Sequence, residues 1–138
     1  MSDAVTMKMT LPKIPDIELV ALEGLDRLAR HLGIQEGKIA EARLIVTEAI
    51  INALEHSGAD APEVGVEFTM TTSELSVHVR DSGRGFAPDA VEEPDIRAKL
   101  SAPSKRGWGL RLMKSMSDDF RISSDSSGTT ITIRKLLR

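Results

Sequence analysis

The sequence contains no cysteine and few aromatic residues, with three Phe, one Trp and no Tyr among 138 residues. Without cysteine, neither a disulfide framework nor a thiolate metal site can form, and the composition suits a reducing cytoplasm. The shortage of aromatic side chains removes the stacking platform that binders of single-stranded nucleic acid use. We therefore expect a cytoplasmic protein with an aliphatic core.

The charge balance and the short apolar runs exclude further classes of protein. Lys and Arg total 18 against 21 Asp and Glu, so the formal net charge is -3 and no overall positive field attracts a phosphate backbone. Residues 1–16 lack the apolar centre of a signal peptide, and no apolar run approaches the roughly 20 residues of a membrane helix. We expect one domain over residues 1–138 with no direct nucleic-acid or membrane partner.

Hydrophobic periodicity predicts helices and strands in separate runs. The first helix is expected between Asp16, as its N-cap, and Gly33; two further helices are predicted over residues 36–56 and 108–116. Strands are predicted over residues 5–11, 63–70, 74–80, 120–124 and 129–135. This order favours an α+β fold, a two-layer α/β sandwich whose helices cover one face of a mixed, mostly antiparallel sheet.

Glu48 and Asn52 lie four residues apart on the longest predicted helix, so their side chains point the same way. A carboxylate can accept a proton, and an Asn amide oxygen is a hard ligand for Mg²⁺. Pairs of this kind also occur on ordinary solvated helix faces. However, Asn is a mediocre helix former, and here it stands between Ile51 and Ala53 in an apolar helix.

Asp81 ends a predicted strand and is followed by two alternate glycines, Gly83 and Gly85. Such glycines allow a ligand to approach the backbone closely. The Asp81 carboxylate can accept a hydrogen bond from an exocyclic amine such as that of adenine. An ordinary Asp-Ser-Gly turn is the alternative, and the missing third glycine excludes a dinucleotide-binding fingerprint.

A third group of candidate residues stands at the start of the helix near residue 108: Lys105, Arg106, Gly107, Gly109 and Leu110. Free N–H groups and a partial positive charge make a helix amino terminus a natural phosphate cradle. A flexible glycine loop is the alternative, and no Walker motif is present. Near the carboxyl terminus, the Thr129 hydroxyl follows Gly128 and can reach the edge of a base, although most Gly-Thr pairs only form turns.

Together these residues resemble the ATP-binding superfamily shared by gyrase, histidine kinases and mismatch-repair ATPases, over residues 41 to 133. The resemblance rests on an N-box, an Asp-x-Gly-x-Gly box and a Gly-x-Gly box, formed in turn by Glu48 and Asn52, by Asp81, Gly83 and Gly85, and by Gly107 and Gly109. Within that superfamily, residues 47–56 and 128–133 look like those of the anti-sigma-factor serine kinases, and the size of the chain agrees.

The resemblance implies a Bergerat-type fold that binds ATP with Mg²⁺. It implies that Asp81 recognises adenine, that Asn52 holds Mg²⁺ and that Glu48 is the general base. The loop from about residue 94 to residue 106 would close over the phosphates, and one of its last two cations would neutralise charge at the γ-phosphate.

The resemblance also implies partners and alternatives. Such kinases phosphorylate a serine on an anti-sigma-factor antagonist, a STAS-type protein, and in another state sequester a sigma factor. They pair through the first strand and helix, so a homodimer is possible. One alternative is an ATP-binding adaptor that switches a partner such as a phosphatase, and another is a different regulatory target. A histidine-kinase fragment is disfavoured because no phosphoacceptor helix precedes the domain.

Overall fold

The computed structural model describes residues 4–56, 63–81, 105–126 and 128–138. These ranges form three helices, which are α1 (Glu18–His31), α2 (Glu36–His56) and α3 (Lys105–Met116). They also form five strands, which are β1 (Val5–Pro12), β2 (Glu63–Met70), β3 (Glu74–Asp81), β4 (Asp119–Asp125) and β5 (Gly128–Leu136). Every predicted helix and strand is present. The largest shift is at α3, which begins three residues before its predicted start.

The strands form one sheet in the order β1-β2-β3-β5-β4, and its four neighbouring pairs are all antiparallel. The described sheet therefore has no parallel pair, although a mixed, mostly antiparallel sheet was predicted. Two helices connect β1 to β2. As a result β2 begins at the same end of the sheet at which β1 ends. That connection makes the β1–β2 pair antiparallel, and β2–β3 and β4–β5 are hairpins.

The helices cover one face of the sheet, as predicted for a two-layer α+β sandwich. Alternate residues of β2 and β3 are buried, which is the period of a strand with one face on the core. The helical part of the core comes mainly from α1 and α2, through residues such as Leu25, Ile39, Val46 and Ile50. On the opposite face, Lys8, His78 and Arg121 are exposed. The functional residues predicted on α2 and β3 therefore belong to facing layers.

The amino-terminal end of α1 differs from the prediction, whereas its carboxyl-terminal end agrees with it. Asp16 is not the N-cap: that position is Ile17, and no side chain caps the helix. An N-cap side chain needs an extended backbone to reach the first free N–H groups, whereas Asp16 has a φ of 63°. At the other end Gly33 does terminate the helix, in the left-handed conformation with a φ of 72°.

Candidate functional site

The long helix α2 carries Glu48 and Asn52 beside the core. The residues next to them on the helix, Ala49 and Ala53, are buried against the sheet layer, while Glu48 and Asn52 themselves are half-buried. Their four-residue spacing places both side chains on one flank of the helix. α2 contacts β2, β3 and β5. The two candidate residues therefore stand at the border of the layer between helix and sheet, where an amide oxygen and a carboxylate can face one ligand.

Asp81 is the last residue of β3, and its side chain lies on the helix-covered face of the sheet, only 2% exposed. Its cross-strand partners are Val64 on β2 and Thr129 on β5. The structure thus brings together two residues that are far apart in the sequence and were both predicted to contact a base. A buried carboxylate is costly unless hydrogen bonds satisfy it, which keeps Asp81 a candidate for the site.

Ser124 on β4 lies next to Thr129, so that Asp81, Thr129 and Ser124 form a row across three strands. Ser124 was not among the residues predicted from the sequence. Ser124 pairs with Thr129 across the β4–β5 hairpin, and the two side-chain oxygens lie 2.8 Å apart in a buried hydrogen bond. The hairpin register could have revealed the pair. Once Asp125 is placed opposite Gly128, Ser124 must face Thr129. The periodicity of a single strand does not show which distant strand lies beside it. Ser124 is brought near Asp81 only because β5 pairs with both β3 and β4.

Gly128 explains the Gly-Thr pair at the start of β5. Its φ is 144°, in the region that only glycine adopts readily, and it is buried. Thr129 follows directly. The glycine therefore has a conformational function, because it starts β5 in the register that turns the Thr129 side chain toward the covered face.

The other predicted site residues are only partly placed. Gly83 and Gly85 lie outside the described residues. The backbone of Lys105, Arg106, Gly107, Gly109 and Leu110 forms the first turns of α3, as expected for a helix amino terminus, and their side chains lie outside the described part of the structure.

The far end of α3 is firmly attached. The buried Lys135 ammonium on β5 donates to the Met116 carbonyl oxygen at 2.9 Å and lies 2.6 Å from a Glu41 carboxylate oxygen on α2. The hydrogen bond from Lys135 is the main cause that lowers the pKa of Glu41, which its burial only partly opposes. α2, α3 and β5 therefore meet at one charged contact.

A magnesium ion held by this protein would need few protein ligands. Within residues 4–56, 63–81, 105–126 and 128–138 no group of three or more His, Asp or Glu side chains is placed to hold a metal. Mg²⁺ keeps waters and takes phosphate oxygens when it binds with a nucleotide, so one or two hard oxygen donors are sufficient. The Asn52 amide oxygen is a donor of that type.

Comparison with known proteins decides the family. The model of the family described as histidine kinase-like ATPase domain matches residues 16–135. The chain belongs to the histidine kinase-like ATPase domain family. This membership confirms the superfamily resemblance, and the matched residues include both the α2 pair and the row formed by Asp81, Thr129 and Ser124.

Several relatives of this ATPase-domain protein are named serine-protein kinases. It is 25% identical to serine-protein kinase RsbW of Halalkalibacterium halodurans over 137 residues, which cover 96% of this chain and 84% of the relative. It is 28% identical to serine-protein kinase RsbW of Bacillus velezensis over 138 residues, covering 95% and 85%. The similarity therefore extends over nearly the whole of each protein.

Solved structures of ATPase-domain proteins share the fold. The structure of the RsbU and RsbW domains of Rv1364c from Mycobacterium tuberculosis superposes with a TM-score of 0.69 at 20% identity, covering 97% of this chain. Because that protein has further domains, the present chain spans only 33% of it. A mycobacterial sensor histidine kinase, MprB, gives a TM-score of 0.56 at 16% identity, with 97% and 99% of the two chains covered. These matches confirm the predicted two-layer fold.

The described helices of this ATPase-domain protein include none that is both long and apolar enough to cross a membrane.

Proposed function

We propose that this protein is an ATP-dependent serine-protein kinase of the anti-sigma-factor type, which phosphorylates a serine on an anti-sigma-factor antagonist. The observation that carries the proposal is the placement of Glu48 one helical turn before Asn52, on the helix that packs against β3, the strand that ends at Asp81. A candidate proton acceptor and a candidate metal ligand thus lie on a helix that packs against the strand of the candidate adenine-recognition residue. The kinase names of relatives that match over almost the whole chain support it.

Nucleotide recognition is assigned to the covered end of β3 and β5. The Asp81 carboxylate accepts a hydrogen bond from the adenine amine, and the Thr129 hydroxyl contacts the same edge of the base. Gly83 and Gly85 follow Asp81 and let the nucleotide approach the backbone. Guanine presents a carbonyl oxygen where adenine presents its amine, so Asp81 would repel it.

The phosphates are assigned to the amino terminus of α3. This helix packs against α2, and its last residue is held beside Glu41. The eleven residues back to Lys105 and the eleven from Glu41 to Asn52 each span about 16 Å. If the two helices run antiparallel, the first turn of α3 reaches the level of Asn52. Its free N–H groups, with Gly107 and Gly109, would then bind phosphate oxygens.

Charge stabilisation and metal binding complete the phosphate site. Asn52 would hold Mg²⁺, and Lys105 or Arg106 would neutralise the γ-phosphate, with Leu110 completing the first turns of the helix. When bound, the metal supplies positive charge that lowers the repulsion between phosphate oxygens and the attacking hydroxyl.

Glu48 is the proposed general base. Its carboxylate accepts the proton of the partner's serine hydroxyl while the serine oxygen forms a bond to the γ-phosphorus, and the bond to the ADP oxygen breaks. General-base assistance of this kind contributes about 10²- to 10⁴-fold to the rate.

The partner is proposed to be an anti-sigma-factor antagonist of the STAS type, with a sigma factor bound in the other functional state and both proteins in the cytoplasm. A homodimer through β1 and α1 is part of the same proposal. Exposed apolar side chains at the β1–α1 junction, Ile14, Leu19 and Val20, support a contact surface there.

The test compares Glu48→Gln with Asn52→Ala in single-turnover transfer from labelled ATP to candidate antagonist proteins. We expect Glu48→Gln to bind Mg-ATP nearly as well as the parent and to transfer phosphate about 10²- to 10⁴-fold more slowly, because only the base is lost. Asn52→Ala should lose the part of ATP binding that depends on Mg²⁺ while circular dichroism shows an intact fold.

The same measurements separate the kinase from an ATP-binding adaptor, the alternative that the kinase relatives do not favour. An adaptor would show no transfer with the parent protein, and Glu48→Gln would leave its partner switching intact. Thr47→Val is the matched control on α2. The Thr47 hydroxyl donates to the Arg43 carbonyl oxygen at 2.6 Å within the helix, so this variant should transfer phosphate at the parent rate.

A further inference from the structure

Among the described residues buried polar side chains are rare, and most of them lie in one place. In the described part of the chain the buried polar residues are Asp81, Ser124, Thr129 and Lys135. The first three form one row across β3, β5 and β4, on the helix-covered face at the end of the sheet. They are 2%, 4% and 9% exposed. A carboxylate and two hydroxyls on neighbouring strands are unusual within an otherwise aliphatic core.

The hydrogen bond between the two hydroxyls has a direction that matters. Ser124 Oγ and Thr129 Oγ1 are 2.8 Å apart, and either atom can be the donor. A hydroxyl has one proton and two lone pairs. If Thr129 donates to Ser124, it can only accept from a ligand. If Ser124 donates to Thr129, the Thr129 proton is available for a ligand acceptor beside Asp81.

The edge of adenine matches the second arrangement. Its 6-amino group is a donor and the adjacent ring nitrogen N1 is an acceptor, whereas guanine presents an acceptor at position 6 and an N–H donor at N1. A carboxylate next to a donating hydroxyl is therefore complementary to adenine at both positions and mismatched to guanine at both. The direction of the Ser124–Thr129 bond decides the second position.

We propose that Ser124 is a positioning residue for base recognition: it donates to Thr129 and thereby directs the Thr129 proton to N1 of adenine, next to the amine that Asp81 accepts. This inference rests on the proposed nucleotide site. It assigns to the edge strand β4 a role in specificity, although Ser124 itself need not touch the nucleotide.

The test is a cycle that combines one substitution with one missing ring nitrogen. Binding of ATP and of 1-deaza-ATP, in which carbon replaces N1, is measured by calorimetry for the parent and for Ser124→Ala. We expect Ser124→Ala to weaken ATP binding roughly three- to tenfold, the range for one neutral hydrogen bond. Binding of 1-deaza-ATP should change less than about twofold, because the contact that Ser124 orients is already absent.

Three controls accompany the cycle. Ser123→Ala is the same substitution one residue earlier, on the exposed face of β4, and should leave binding of both nucleotides unchanged. Ser124→Thr retains the hydroxyl and should restore ATP binding to near the parent value. Purine riboside triphosphate lacks the amine but keeps N1, so Ser124→Ala should weaken its binding as much as that of ATP.

Two results would overturn the assignment of Ser124 while leaving the kinase proposal standing. One is an equal loss of ATP and 1-deaza-ATP affinity in Ser124→Ala, which indicates a purely structural hydroxyl. The other is unchanged ATP affinity in a folded Ser124→Ala protein. Failure of the proposed function looks different: the parent protein itself would bind ATP no more tightly than GTP, and the base-recognition role of the whole row would then be refuted.

Discussion

At the scale of single residues, Asp81 is the side chain whose environment most needs a functional explanation. It is the only carboxylate among the buried residues of the described chain, and it stands at the end of a strand whose other inward residues are aliphatic. Burial of an acidic group costs free energy that hydrogen bonds must offset. A ligand amine supplies such a bond only in the bound state, so affinity should depend strongly on this one carboxylate.

Asp81→Asn should weaken ATP binding by about 1.5 to 3 kcal/mol, the scale of a hydrogen bond to a charged group, and should remove the preference for ATP over GTP. Isothermal titration calorimetry with both nucleotides measures this change. The shape of the side chain is retained, so the fold should survive.

Asp119→Asn is the matched control for this substitution. Asp119 lies at the opposite end of the sheet on β4, paired with Arg121 at 3.2 Å, and its replacement should leave nucleotide affinity unchanged. If Asp81→Asn binds ATP like the parent protein, Asp81 does not recognise the base.

At the scale of secondary-structure elements, the end of α1 is defined by backbone hydrogen bonds around Gly33. The Ile34 N–H donates to the Ala29 carbonyl oxygen at 3.0 Å, and the Gly33 N–H donates to that of Arg30 at 3.1 Å. These two bonds are the Schellman motif, which requires a left-handed residue. Arg30 also pairs with Glu36 across the turn. The motif sets the direction in which the chain enters α2 and therefore the position of the helix that carries Glu48 and Asn52.

Gly33→Ala should destabilise the protein by about 1 kcal/mol, because an L side chain in the left-handed region is strained even where space is available. Space is available here, since no atom lies within 4 Å of a β-carbon at this position. Urea denaturation of the variant and the parent provides the measurement.

Gly37→Ala should have the opposite effect. Gly37 lies in the first turn of α2, and a β-carbon there also meets nothing within 4 Å. Alanine favours helix over glycine by up to about 1 kcal/mol, so this variant should be equal to or more stable than the parent. Destabilisation of similar size by both substitutions would show that the left-handed backbone of Gly33 is not the cause of the first result, because the lower entropy of the unfolded alanine variants can only stabilise the protein.

At the scale of the whole molecule, Lys135 joins the helical layer to the sheet. Its side chain is buried, and its ammonium contacts both α2 and the carboxyl end of α3, where the helix dipole favours a cation. Two further bonds tie the same end: the Leu136 N–H donates to the Asp118 carboxylate at 2.7 Å and the Asp118 N–H to the Arg134 carbonyl oxygen at 2.9 Å. The carboxyl end of α3 is thus fixed against α2 and β5.

Lys135→Met should lower the free energy of unfolding by about 1 to 2 kcal/mol at neutral pH, since it removes two hydrogen bonds from a buried cation while retaining most of its volume. The expected loss is near the low end of the range for hydrogen bonds to charged groups, because the Glu41 side chain is 41% exposed and water weakens its contact with Lys135. Lys38→Met is the matched control. Lys38 contacts the same carboxylate at 3.7 Å but is more exposed, so its loss should cost much less.

The pH dependence provides a second check on this contact. The pKa of Glu41 is lowered below its usual value of 4.5, mainly by the hydrogen bond from Lys135 and to a smaller extent by the charges of Lys135 and Lys38. The unfolded state therefore binds the proton more readily, and the contribution of Glu41 is present above that value and lost as the pH falls through the lowered one. The stability difference between the parent and Lys135→Met should shrink over this acidic range. A difference that is independent of pH would show that the Glu41 contact contributes nothing.

Much of the fold and part of the site are determined by local sequence. α2 and the β2–β3 hairpin follow from consecutive residues, because helical and strand periods are expressed within each segment. The pairing of Glu48 with Asn52 follows from the same helical geometry. Asp81 could be selected as a candidate because its motif is contiguous with the end of a strand, and its burial agrees with a place beside the core.

Other features depend on contacts between segments that no local pattern contains. Ser124 reaches the row with Asp81 only because β5 lies between β3 and β4, and that order is set by the packing of the whole sheet. Lys135 resembles a solvent-exposed cation in the sequence, and only its distant partners on α2 and α3 make its burial favourable. Asp16 has the chemistry of a helix cap, yet in the folded chain its backbone has a φ of 63°, which prevents it from capping. Sequence by itself determined which residues have the chemistry to bind a nucleotide, because that chemistry belongs to each side chain and its neighbours. Tertiary structure decided which of them stand together, because strand order and helix packing depend on burying the whole core at once.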